Sequence, residues 1–68
     1  MKTRKVTAED MRISGILSEV QKQGEIDGRK GWDYDDGFIA HVSSTHKVNI
    51  GRVAESYRRG YDEGCQKA

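Results

Sequence analysis

The run Asp33-Tyr34-Asp35-Asp36-Gly37 places carboxylates ahead of a glycine, as the start of a calcium loop does. Such a loop needs its glycine at the sixth position and a bidentate glutamate at the twelfth. Here the glycine comes one position early and Ser44 stands in the place of the glutamate, so calcium binding is not expected. His41 and His46 have the spacing of half a zinc finger, but Cys65, the sole cysteine, cannot complete a tetrahedral site. Asp27-Gly28-Arg29-Lys30-Gly31 is glycine-rich and basic, yet it has neither the Walker spacing nor a hydroxyl residue after the lysine. It reads as a turn. Ser43 and Ser44 near His41 and His46 supply a nucleophile and a base by type. Side chains so close in sequence rarely converge, and no G-x-S-x-G elbow presents either serine. A reaction centre also needs a concave pocket of several hundred Å³, roughly the floor for small-molecule sites, which so short a chain hardly encloses. The expectation is a protein with no enzymatic activity, no metal and no cofactor. Cys65, beside Gly64, reads as an unremarkable terminal thiol, with an intermolecular disulfide as the alternative.

Binding chemistry is better represented. Trp32 and Tyr34 lie among glycines and charges just after Arg29 and Lys30, and Trp, Tyr and Arg are the residues that most often anchor protein interfaces. Trp32 reads first as a loop residue closing the core and second as a partner contact. Arg58 and Tyr61 complete the candidate partner-binding set of Arg29, Trp32, Tyr34, Arg58 and Tyr61. The alternative is nucleic acid, contacted through Arg52, Arg59 and the basic N-terminal residues Lys2, Arg4 and Lys5. Residues 38–54 bear a loose likeness to a helix-turn-helix, with Ala40 at the small-residue position and Ile39, Ile50 and Val53 at core positions. Against it, Asp33, Asp35 and Asp36 repel phosphate, and Glu55 precedes Arg59, as Arg58 precedes Asp62, by one helical turn.

These residues need positioning by a chain of only 68 residues, of which 34% are hydrophobic. Leu, Ile, Val and Phe number 12 in all, few enough to hint at disorder were net charge also high; at +1 it is not. One small, marginally stable domain follows, which gains from a neighbour, either a second copy or a larger partner. A lone cysteine suits the reducing cytoplasm, the expected location, and no apolar run suits a membrane span.

Residues 1–6 read as a flexible basic tail and 7–68 as a single helical domain. Thr7 followed three residues later by Asp10 is a capping-box start, and Ile13, Ile16, Leu17 and Val20 recur on one helical face. This predicts a helix over 8–23, stopped by Gly24, with Gly15 marking a close approach by another element. Residues 24–31 read as a glycine-rich loop with an Asp27-Gly28 turn. From Asp33 and Asp36 onward the pattern allows a capped helix through Phe38, Ile39, His41 and Val42, or a β-hairpin around 43–46; the helix is preferred. Asn49 caps a last helix whose Ile50, Val53, Ala54, Tyr57 and Tyr61 share a face and which ends near Gly60 or Gly64. The fold class is mainly α, a bundle of two to three helices with a short hairpin as the α+β alternative. Lys30-Gly31-Trp32-Asp33 and Arg59-Gly60-Tyr61-Asp62 share the order basic, Gly, aromatic, Asp, a faint internal echo.

Within Arg52 to Gly64, about a fifth of the chain, Arg59-Gly60-Tyr61-Asp62-Glu63-Gly64 resembles the R-G-Y-x-x-G core of bacterial ribosome modulation factors. The resemblance implies a small two-helix protein in which this segment ends a helix, and which binds the ribosome and promotes inactive ribosome dimers.

The reading that residue types and chain length favour is a small protein-binding module that modulates or inhibits a larger protein or ribonucleoprotein assembly. Chains this short are common among phage and mobile-element inhibitors of host machinery, anti-CRISPR proteins included. A DNA-binding regulator and a ribosome-associated factor are the alternatives, and homodimerisation is compatible with each.

Overall fold

The computed structural model describes residues 7–67, which form three helices: α1 (Ala8–Lys30), α2 (Asp36–His46) and α3 (Ile50–Lys67). The protein is a small mainly α bundle. The hairpin alternative for its middle is overturned, because residues 38–46 are helical. Lys2, Arg4 and Lys5 lie outside the described residues.

Each helix starts on a side-chain cap. Thr7 Oγ1 accepts the Asp10 N–H at 3.1 Å, and the Asp10 carboxylate accepts the Thr7 N–H at 3.4 Å, the reciprocal pair of a capping box. Asp35, rather than Asp33 or Asp36, caps α2 by accepting the Phe38 N–H at 2.9 Å. Asn49 Oδ1 accepts the N–H groups of Gly51 and Arg52 at 2.8 and 3.3 Å at the head of α3. Two of the helices stop in left-handed turns. Gly31 (φ 74°) ends α1, with its N–H on the Gly28 carbonyl and the Trp32 N–H on that of Asp27, which is the Schellman arrangement. Lys47 (φ 54°) ends α2, where the Ser43 hydroxyl donates to the Val48 carbonyl at 2.7 Å and holds the turn in place of a glycine's freedom.

The largest departure from the sequence-based expectation is that neither Gly24 nor Gly60 stops a helix. α1 continues for six residues beyond Gly24 and absorbs the whole expected loop up to Lys30, and α3 passes through Gly60 and Gly64 to Lys67. The four glycines are where the two helices touch. A β-carbon on Gly24 would overlap the Tyr57 carbonyl, and one on Gly28 the Tyr61 carbonyl. Conversely, Gly60 faces the Gln21 carbonyl and Gly64 that of Glu25. Each glycine gives up about 1 kcal/mol of helix propensity, but only a residue without a side chain lets two backbones approach so closely. Gly15, read as the close-approach position, has no other element of the described residues within 4 Å of its missing β-carbon.

The order of these contacts sets the topology. As α1 rises from Gly24 to Gly28, its neighbours on α3 rise from Tyr57 to Cys65, so the two helices run parallel. The antiparallel return between them is α2, whose C-terminal His46 carbonyl accepts from Arg12 near the start of α1 at 2.9 Å. The core is Val20, Ile39, Val42, Val48, Val53 and Tyr57, with Ile13, Ile16, Leu17, Phe38, Ala54 and Tyr61 packed around it. Ile50, assigned to a core position by the helix-turn-helix likeness, is 55% exposed instead, and Ala40 at its small-residue position is exposed too. α2 packs mainly on α3 and barely touches α1, so the bundle is open along its α1–α2 side and flattened to 41 × 28 × 15 Å.

The two kinds of glycine separate in a stability measurement. Gly60→Ala is expected to destabilise the fold by about 3 kcal/mol or more, because backbone must move to admit the methyl group. Gly15→Ala, with open space around it, should add roughly 0.5–1 kcal/mol through helix propensity. Urea denaturation in dilute solution, followed by circular dichroism, measures both.

Candidate functional site

At the end where α1 stops and α2 begins, three elements meet on one phenol. Tyr57 is fully buried, its hydroxyl donates to Asp27 Oδ2 on α1, and it accepts the Asp35 N–H at 3.2 Å at the head of α2. Gln23 Nε2 donates to the other Asp27 oxygen at 2.9 Å, so a carboxyl group only 5% exposed has partners on both oxygens. Burial foremost, and then the hydrogen bond to Asp27, push the Tyr57 phenol well above its ordinary range.

Above this junction the segment 31–35 crosses the end of the bundle. Its backbone is pinned twice at Trp32, whose N–H donates to the Asp27 carbonyl at 2.9 Å and whose carbonyl accepts from the Tyr61 hydroxyl. The indole is left 52% exposed, with Lys30 Nζ 4.6 Å from the ring centroid in a cation–π contact. Trp32 therefore does not close the core, contrary to the first expectation for it. Tyr34 performs that task with one edge: its ring meets Tyr57 and Tyr61 edge-on at 4.9 and 5.5 Å between centroids, while 37% of the residue stays exposed.

Of the candidate partner-binding residues, Trp32, Tyr34 and Tyr61 are brought together. Tyr61 is half-buried and acts through its hydroxyl as the clasp on Trp32; burial raises its phenol too. Arg29 is exposed on the last turn of α1, held to Glu25 at 2.7 Å. Lys67 from α3 reaches the same Glu25 oxygen at 3.0 Å, and it, with Arg29 second, holds that carboxyl below the usual carboxylate range. Arg58, a turn before Tyr61 on α3, is exposed and loosely paired with Asp62 at 3.9 Å. The nucleic-acid set is scattered by comparison. Arg59 is exposed and paired with Glu55 at 2.9 Å, whereas Arg52 lines an open cleft at the far end of the bundle with Ser14, Ser18 and Ser56.

Asp27 and Tyr57 carry the junction, and neither stands among the candidate site residues, since Asp27 before Gly28 has the look of a turn. The available signal is the shared four-residue spacing of Gly24 and Gly28 with Gly60 and Gly64, which aligns two helix faces. The echo between 30–33 and 59–62 has a physical counterpart: its two aromatic residues are joined through the Tyr61 hydroxyl and the Trp32 carbonyl. The R-G-Y-x-x-G residues Gly60, Tyr61 and Gly64 are here engaged within the fold, the glycines against α1 and the tyrosine on Trp32. His41, His46 and Cys65 are exposed, and no group of three or more His, Cys, Asp or Glu side chains suited to a metal occurs among the described residues. Comparison with known proteins finds no family model, curated protein or solved structure that matches this chain.

Tyr57→Phe leaves an Asp27 oxygen buried without its donor, and a loss of about 1–3 kcal/mol at neutral pH is expected. Since the folded-state phenol is raised, its contribution is complete below the unfolded value, about 10, and declines as pH rises past it. The wild type should therefore lose stability above that pH more steeply than Tyr57→Phe, by close to one proton. Urea denaturation between neutral pH and about pH 11 gives both slopes.

Proposed function

We propose that this protein is a protein-binding module that acts without catalysis, by docking the loop surface of Trp32 and Tyr34, flanked by Arg29 and Arg58, onto a larger protein or ribonucleoprotein assembly and so modulating or inhibiting it. The observation that carries this reading is the treatment of Trp32. Both of its backbone groups are bonded to the helices on either side, while half of the largest side chain in the chain faces solvent.

An exposed tryptophan on a loose loop loses much of its binding energy to ordering. Fixing its backbone beforehand removes that cost. Tryptophan, tyrosine and arginine grouped around one spot are the composition of interface hot spots, and Tyr61 contributes by positioning Trp32. Lys30 lies over the indole itself, and Arg29 and Arg58 have acidic partners within α1 and α3, which favours a protein face over a polyphosphate backbone.

The test is capture from host lysate, identification of the retained partner, and a titration of the purified pair. Trp32→Ala should weaken binding by about 2 kcal/mol, near thirtyfold. Affinity should change little between about 50 and 200 mM salt, where a binder of several phosphates loses orders of magnitude. Unchanged capture by Trp32→Ala together with loss on Arg52→Ala would instead establish the nucleic-acid alternative.

A further inference from the structure

The open α1–α2 side of the bundle is a groove of about 580 Å³, floored by Val20, Ile16, Phe38 and Val42 and rimmed by Met11, which is 67% exposed. It lies apart from the Trp32 loop. We infer that this groove is the interface of a symmetric homodimer, in which α1 of a second copy runs antiparallel along it with the crossing point beside Gly15 and Ile16.

Three observations select a second copy as the occupant. First, the face is self-complementary in charge. In an antiparallel helix pair, a residue one turn before the crossing faces the residue one turn after it on the other helix. Crossing between Gly15 and Ile16 therefore sets Arg12 of each copy against Glu19 of the other. Both side chains rim the groove, and Arg12 is held in place there by Glu9 and by the His46 carbonyl.

Second, the same operation carries Met11 of one copy onto Val20 of the other, at the end of the groove that Phe38 closes. An exposed flexible apolar side chain thus meets an apolar recess on its partner. Third, the crossing point is the one helical glycine of α1 with open space around it. Gly24 and Gly28 are used up against α3, but no atom of another element among the described residues lies within 4 Å of where a Gly15 β-carbon would stand, and a helix from outside can come close there. A three-helix bundle whose first and second helices barely touch is completed by a fourth helix along that seam.

Sedimentation equilibrium of the full chain tests the inference over about 1–100 μM, the range in which a modest dimer dissociates. The wild type is expected to show a monomer–dimer equilibrium. Glu19→Arg places like charges opposite each other and should weaken it about a hundredfold, and adding Arg12→Glu to the same chain restores the opposite pairing and should recover most of that loss. Gly15→Leu should remain helical by circular dichroism yet fail to associate. Trp32→Ala should dimerise like the wild type, so the dimer and the loop-docking reading fail separately. A wild type that stays monomeric throughout, association that survives Glu19→Arg or Gly15→Leu, or a charge-swapped chain no better than Glu19→Arg would each overturn the proposal.

Discussion

Everything in this bundle follows from the contact of two helices at backbone distance. Gly24 and Gly28 on α1 and Gly60 and Gly64 on α3 interlock so that each glycine lies over a carbonyl of the other helix, an approach that brings Cα–H groups toward oxygen acceptors. Because the two helices run parallel, the chain must travel their full length backwards between them. That return is α2, and it imposes two crossings at opposite ends, 31–35 and 47–49. The same contact fixes the rotation of α3, which turns Tyr57 inward to Asp27 and sets Tyr61 beside Trp32. The exposed surface of Trp32 and Tyr34 is thus a product of the helix contact, assembled without any large apolar core.

With six buried hydrophobic side chains among the described residues, shape alone specifies the arrangement weakly, and the polar junction supplies direction. A phenol that donates to one helix and accepts from the head of another can be satisfied in few orientations of the three elements. A buried hydrogen-bonding group of this kind discriminates more than it stabilises, since misplacing it leaves one carboxylate oxygen of Asp27 without its donor. Exposed ion pairs along α1 and α3, such as those of Arg12, Arg29 and Arg59, add little beyond solubility and helix support.

The starts of α1 and α3 were legible because caps are local, whereas α2 is capped by Asp35 and not by the expected Asp33 or Asp36. Thr7 with Asp10 and Asn49 with the amides just after it act over a few residues, and the apolar spacing of α1 and α3 identified Val20, Val53 and Tyr57 as inward-facing. The helix ends were not legible. A glycine that ends a helix and a glycine that admits another helix have the same local signature, and the difference lies in a neighbour far along the chain. Gly31 does end its helix, whereas Gly24, Gly28, Gly60 and Gly64 are contact residues. Gly15, read as a contact, faces open space. Trp32 defeated expectation for a related reason: size and apolarity favour the interior, but the pinning of its backbone by Asp27 and Tyr61 decides its place.

The interlocking glycines also govern the order in which the molecule can form. The second half of α1 carries two residues that oppose helix formation, so it gains little by winding up before α3 arrives to compensate. The encounter joins Gly24 to Gly60 across more than half the chain, an unusually non-local nucleus for an all-helical protein, and such closure slows folding relative to bundles built from neighbouring hairpins. The first half of α1, with its capping box and glycine-poor apolar stripe, has no such dependence. During synthesis, therefore, α1 is expected to emerge half wound, and its last two turns, together with the tryptophan segment that follows them, take shape only once the C-terminal helix has left the ribosome.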